Sequence, residues 1–253
     1  MDYDLFAVQG GLDIYQVDRA DSSSDMAGFY GAIGTGHGNT EFFGNGLGSN
    51  SLNAFTFGGY WTHYGPQGWY VDALLQGTRY NIDADSNRPF SLSTNGTGFG
   101  ASFETGYPFP LASGWIIEPQ AQLSYQSIAL DDANDGTATI SFSNVDNLLG
   151  RVGARLAKSW ELAPGEANPR LITGWLRASY TYQFLEKPNT IFTSATGPVP
   201  FEGDFSGSSV ILNAGLDADL RDDVSFYANV DYEYQFGDLG QSIGCQIGLK
   251  VKW

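Results

Sequence analysis

The chain holds 253 residues, 42% of them hydrophobic and 15% aromatic, with 28 Asp and Glu against 12 Lys and Arg for a net charge of −16. So much aromatic surface excludes a disordered chain, the acidic balance excludes a binder of phosphate backbones, and the single Cys245 excludes an internal disulfide framework. Two histidines, His37 and His63, leave little for a His-based metal or catalytic site. Only 16% of residues are charged, against roughly 25% in an average soluble domain. No apolar run reaches the ~18 residues of a membrane-spanning helix. Met1-Asp2-Tyr3-Asp4 lacks the basic start and apolar core of a signal peptide, so the expectation is a cytosolic chain, or a mature or excised piece of an exported one.

Read from the N-terminus, apolar and polar residues alternate with period 2, as in strands with one apolar face, and no stretch carries a helical stripe. The pattern predicts about eleven strands, at 3–17, 25–37, 50–64, 67–82, 94–109, 114–130, 144–160, 169–185, 206–221, 223–237 and 241–253. Phe99, Ala101, Phe103, Thr105 and Tyr107 face away from Gly100, Ser102, Glu104 and Gly106. Ile117, Pro119, Ala121 and Leu123 alternate with Glu118, Gln120, Gln122 and Ser124. The last segment sets Ile243, Cys245, Ile247, Leu249, Val251 and Trp253 against Ser242, Gly244, Gln246, Gly248, Lys250 and Lys252. These strands are long beside the usual mode of about 5–6 residues, and a transmembrane strand needs about 9–11. The polar faces carry Gly, Ser, Gln, Asn and isolated charges. Aromatics crowd strand ends, with Tyr60, Trp61, Tyr64 and Trp69 at one turn and Tyr107, Phe109 and Trp115 at another, as interfacial girdles do. A soluble β-sandwich or lipocalin-like barrel would share the alternation but turn its charged face outward. The reading is therefore an all-β fold, an antiparallel transmembrane β-barrel.

Connections alternate between short (18–24, 64–67, 110–113, 161–168, 221–222) and long (38–49, 83–93, 131–143, 186–205), with only 237–240 brief among the latter set. Outer-membrane barrels have short periplasmic turns and longer external loops, which places the C-terminus in the periplasm and an external N-terminus before the first strand. Eleven is odd, whereas bacterial single-chain barrels have even strand numbers, so either one strand precedes Met1, the favoured expectation, or the region 186–205 holds a strand the alternation does not show.

Gln9-Gly10-Gly11-Leu12-Asp13, the run from Gly59-Tyr60-Trp61-Thr62 through Gly68-Trp69-Tyr70-Val71-Asp72, and Ser102-Phe103-Glu104-Thr105-Gly106-Tyr107 resemble successive strands of the autotransporter translocator domain, the type V secretion β-barrel. Trp115-Ile116-Ile117-Glu118-Pro119-Gln120-Ala121-Gln122-Leu123 and Gly150-Arg151-Val152-Gly153-Ala154-Arg155-Leu156 resemble its most specific segments. Gly248-Leu249-Lys250-Val251-Lys252-Trp253 is similar to the aromatic-ended signal read by the barrel assembly machinery, with Leu249, Val251 and Trp253 as its apolar positions. The resemblance covers nearly the whole chain. It implies a barrel of twelve strands in the bacterial outer membrane, connected through a helix in its lumen to an N-terminal passenger delivered to the cell surface. Residues 1–253 then form one translocator domain without the passenger, the pore helix or the family's first strand. The implied partners are the chain's own passenger, the assembly machinery and outer-membrane lipids. The alternatives are a free-standing channel or an adhesin barrel, whose loops 131–143 and 186–205 would be the contacts.

The alternation puts Asp13, Asp72, Glu104, Glu118, Asp217, Asp219, Asp231 and Glu233 on the inner face with Arg151, Arg155, Arg177, Lys250 and Lys252. A barrel of this size is too wide for side chains to fill, so ion pairs and water are expected there. Asp72, Glu104, Glu118, Arg151, Arg155 and Arg177 are the candidates for a polar track along which a passenger slides. Some autotransporters cut their passenger inside the pore with lumen carboxylates, a role open to Asp72, Glu104 and Glu118. No nucleophile, base and oxyanion set marks an enzyme, and no cofactor or metal is implied. Gly34-Thr35-Gly36-His37-Gly38 lacks dinucleotide-loop spacing, Asp131 to Phe142 lacks the last ligand of a calcium loop, and Asn95-Gly96-Thr97 carries no weight as a sequon in a bacterial outer membrane. His37 and His63 are expected at opposite ends of the barrel, and Cys245 toward lipid.

Overall fold

The computed structural model describes residues 2–42, 45–87, 91–162, 170–185, 189–194, 197–202, 207–221, 223–237 and 240–252. Eleven long antiparallel strands form one sheet in sequence order: β1 (Asp2–Asp18), β2 (Ser24–Phe42), β3 (Asn45–Tyr64), β4 (Tyr70–Ser86), β5 (Ser91–Gly106), β6 (Trp115–Leu130), β7 (Val145–Glu161), β8 (Leu171–Leu185), β9 (Gly207–Arg221), β10 (Val224–Gln235) and β11 (Gln241–Val251). A two-residue strand at Phe109–Pro110 pairs with β6 beside the turn into it. The sheet curls into an open barrel. Among the described residues no backbone pairing joins β1 to β11. Across this seam Lys250 Nζ lies 3.3 Å from Asp13 Oδ2 and 3.8 Å from Met26 Sδ, beside a cleft of about 720 Å³ whose lining includes Gln9, Gly11, Tyr30 and Leu249.

Side-chain parity decides which face each residue takes. Every strand presents a large apolar residue to the outside: Val8, Phe29, Phe57, Leu75, Phe103, Leu123, Val152, Leu176, Leu212, Val230 and Ile247 are all exposed. Thr62, Thr78, Thr94, Gln120, Arg151, Ser179, Thr181 and Ser209, by contrast, are buried on the concave side. No large side chain among the described residues is fully buried. This polarity is inverted relative to a soluble barrel. A belt of apolar surface on this scale marks a lipid-facing wall, and it excludes the sandwich and lipocalin-like alternatives.

Register shows where the belt ends. Toward the long loops, the outward row Asn53, Asn81 and Asn95 is followed by Ser51, Asp83 and Ser93 and then by Ser49, Asp85 and Ser91. Toward the short turns lie the outward Trp61, Trp115 and Trp160, with Lys158 Nζ 5.5 Å from the Trp115 ring and 5.8 Å from the Trp160 ring. A cation reaching along aromatic rings fits a membrane interface.

Two expectations from sequence need correction. The segments 38–49 and 83–93 are largely strand: β2 reaches Phe42, β3 begins at Asn45, β4 ends at Ser86 and β5 begins at Ser91. Outward apolar residues stop at the Asn row, while beyond it Leu52, Ile82, Ala84 and Leu92 stand on the inner face and the hydrogen-bond ladder continues. The long connections 131–143 and 186–205 also contain a second, four-stranded sheet, formed by Ala133–Asn134, Thr139–Phe142, Asn189–Ser194 and Gly197–Glu202. Its hairpins are joined by Ser143 N–H donating to Asn189 O at 2.9 Å and by Asn189 N–H donating to Ser143 Oγ at 2.9 Å. Ile140 is 3% exposed, and with Phe192 it faces the rim of β3 to β5 at Asn50, Ala84 and Leu92.

Candidate functional site

The concave wall is predominantly polar, and its charges fall into stripes. Asp72, Glu104 and Glu118 stand on β4 to β6, Arg151, Arg155 and Arg177 on β7 and β8, and Asp217, Asp219, Asp231 and Glu233 on β9 and β10. Lys250 on β11 and Asp13 on β1 face each other over the seam. The expected lumen set thus shares one face, although not one cluster.

Arg151 is the centre of the largest network. Its Nη2 donates to Glu104 Oε2 at 2.6 Å and its Nε to Gln122 Oε1 at 2.8 Å. Its Nη1 reaches Ser179 Oγ at 3.3 Å and Gln120 Oε1 at 3.5 Å. Tyr70 Oη donates to the other Glu104 oxygen at 2.5 Å. Gln120 Nε2 donates to Glu118 Oε1 at 2.7 Å, and Gln122 Nε2 to Ser102 Oγ at 2.9 Å. The register puts Arg151 opposite Gln122, Gln122 opposite Glu104 and Glu104 opposite Asp72, one row crossing four strands. Asp72 lies outside the network itself and accepts from Thr62 Oγ1 at 2.5 Å.

A second group lies on β7 to β9. Arg155 Nη2 is 3.5 Å from Asp217 Oδ2, which also accepts from Trp175 Nε1 at 2.9 Å. Arg177 Nε donates to Asn213 Oδ1 at 3.0 Å. The guanidinium carbons of Arg155 and Arg177 lie 5.2 and 5.9 Å from the Trp175 ring.

Tyr60 and Tyr64 belong to this lumen rather than to the outer girdle. Tyr60 Oη donates to Asp13, and the Tyr64 ring meets that of the lumen-facing Tyr70 at 6.1 Å. Their even numbering puts them on the face of Thr62, while Trp61 alone of the three points out. The missed signal is cross-strand: Tyr60 pairs with Gly28 and Tyr70 with Gly106. Each ring covers its glycine, so that a Cβ on Gly106 would meet Tyr70 Cε1 at 2.5 Å. Such glycines leave room for an aromatic to cover the neighbouring strand.

His37 and His63 do lie at opposite ends of β2 and β3. His63 Nδ1 is 2.9 Å from Asp25 Oδ1, and Asp25 also pairs with Arg19 at the 18–24 turn, contacts invisible to the period-2 reading. Cys245 is exposed on the outer face. Among the described residues, no three His, Cys, Asp or Glu are grouped to hold a metal. Leu249 and Val251 stand outward on β11, and Trp253 lies outside the described residues.

The model of the autotransporter β-domain family matches residues 1–231. The chain is 30% identical to the pertactin autotransporter of Bordetella bronchiseptica over 88% of its own length and 24% of that protein's. It is 27% identical to the adhesin BmaC autotransporter of Brucella suis over 100% of its own length and 7% of that one's. Its fold is similar to the β-domain of the Bordetella autotransporter BrkA, with a TM-score of 0.78 at 20% identity over 99% of this chain and 92% of that one. It is also similar to the transport unit of the autotransporter AIDA-I from Escherichia coli, with a TM-score of 0.80 at 16% identity over 99% and 83%. The chain therefore belongs to the autotransporter β-domain family, whose barrels sit in the outer membrane. It spans only 24% and 7% of the two curated relatives.

Proposed function

We propose that this chain is the outer-membrane translocator of an autotransporter, a barrel that conducts an N-terminal passenger through its lumen and then anchors it at the cell surface. The observation that carries this reading is the inverted polarity: an apolar convex wall surrounds a concave wall of hydroxyls, amides and paired charges. An extended polypeptide needs a conduit with hydrogen-bonding groups and no apolar patch to hold it. In lipid, every backbone group of the wall must also find a partner, which an antiparallel sheet closed on itself provides. The edges of β1 and β11, unpaired among the described residues, support one further strand, supplied by sequence N-terminal to β1, which fills the seam and makes the count even. In this reading residues 1–253 are the translocator domain, the short turns and the C-terminus lie in the periplasm, and the long connections lie outside. Asp72, Glu104, Glu118, Arg151, Arg155 and Arg177 line the passenger's track. Leu249, Val251 and Trp253 are read by the barrel assembly machinery, and outer-membrane lipids cover the belt.

The test is protease shaving of intact Gram-negative cells that express the full-length protein with an epitope tag in its N-terminal region. The tag is expected to be digested from outside while the barrel stays protected in the outer-membrane fraction. A tag that survives in intact cells, with the barrel correctly inserted, overturns the proposal.

A further inference from the structure

Arg155 on β7 and Arg177 on β8 are direct partners across the ladder. Like charges directly opposite each other destabilise an antiparallel pair, so this juxtaposition needs compensation. Little is present. Among the described residues, Arg155 has one carboxylate within ion-pair distance, Asp217 at 3.5 Å, and Arg177 has none. Asp217 is itself half-exposed and shared with the Trp175 indole N–H. Glu118 stands directly across from Arg155 yet accepts from Gln120, and Glu104 is taken by Arg151 and Tyr70. Of these two guanidiniums, each with a fork of N–H donors suited to a carboxylate, only Arg155 has one, and Arg177 Nε donates to the neutral Asn213 Oδ1. The Trp175 ring beneath both, at 5.2 and 5.9 Å, holds them together.

We propose that Arg155, Arg177 and Trp175 form a carboxylate-binding site on the lumen wall that takes an acidic side chain of the peptide segment occupying the pore. The identity of that occupant rests on the translocator reading, whereas acidic-peptide binding itself does not. In a chain of net charge −16, this basic stripe is flanked by acidic stripes on β4 to β6 and on β9 and β10. An acidic side chain is therefore favoured at this stripe and repelled on either side of it.

The full 253-residue chain, refolded in neutral detergent and checked for barrel migration on unheated gels, is titrated calorimetrically with hexaglutamate, hexaasparagine and inorganic phosphate at low salt. Hexaglutamate is expected to bind at least tenfold more tightly than either of the others. Arg177→Gln is expected to weaken it about tenfold, and Arg79→Gln, exposed on the outer wall, to leave it unchanged. Hexaglutamate that binds no better than hexaasparagine or phosphate overturns the site, as does a folded Arg177→Gln chain that binds as well as the parent. The peptide comparison needs no variant, so it decides even if Arg177→Gln fails to fold. A chain that exports its tag but does not discriminate among the probes loses only this site. One that discriminates but exports nothing loses only the translocator reading.

Discussion

Arg151 is 8% exposed and donates to four lumen side chains, one of them the carboxylate of Glu104. Removing one member of a buried ion pair leaves the other uncompensated, whereas an amide at position 104 keeps one of the two acceptor oxygens that Arg151 and Tyr70 use. Arg151→Met is therefore expected to destabilise the barrel by about 3 kcal/mol, and Glu104→Gln by less, in urea unfolding followed by gel migration. Gly106→Val tests the aromatic contact. The added side chain collides with the Tyr70 ring, and overpacking of this kind costs about 1–3 kcal/mol; Tyr70→Ala in the same chain is expected to recover most of the loss. At this scale parity was legible in sequence and partnership was not. Alternation alone assigns Asp72, Glu104, Arg151 and Arg177 to one face. It does not show that Glu104 meets Arg151 while Asp72 meets Thr62, because that depends on register across several strands. Tyr60 and Tyr64 were misread as girdle residues because local aromatic density outweighed their even numbering. A tyrosine opposite a glycine is visible only once the strands are aligned.

At the scale of elements, the strands outlast the membrane. The outward row from Asn53 through Asn81 to Asn95 separates the apolar belt from a polar extension. Spin labels on the outer face of β4 are expected to follow this boundary: a label at Leu75 should be accessible to oxygen and one at Asp83 to a water-soluble nickel complex. Equal oxygen accessibility at the two positions would remove the boundary. The loop sheet was not legible as strands, since its segments are short, rich in Thr, Ser and Pro, and paired between distant connections. Its tip is held by Asp135, whose Oδ1 accepts N–H bonds from Thr137 and Ala138 at 2.7 Å each, with Gly136 at φ 87°. The Ala138 and Thr137 bonds hold this carboxylate below its ordinary range. The ordering they provide is thus complete above the ordinary carboxylate range and is lost as pH falls through the depressed folded value. A spin label at Ala133 should become mobile across that acidic window, and Asp135→Ala should make it mobile already at pH 7, with the barrel's own unfolding midpoint unchanged by the substitution. A label whose mobility ignores both changes contradicts the role of this turn.

For the molecule as a whole, the fold class was legible because a membrane β-barrel writes its two solvents into its sequence: lipid selects Phe103 and Leu123, and the lumen selects Glu104 and Gln122. The count of eleven strands was legible; whether they close was not, and among the described residues no backbone pairing joins β1 to β11. The charge stripes were not legible either, because residues far apart in sequence form one stripe only after the sheet curls. The central claim is that the passenger travels along the concave wall. It is tested most directly by placing a photo-crosslinking amino acid at Gln122 or at Leu123, adjacent residues on opposite faces of β6, in the full-length protein during export. Crosslinks to the passenger are expected from position 122 and not from position 123. Equal crosslinking from both, or crosslinking from 123 alone, would contradict a path through the lumen.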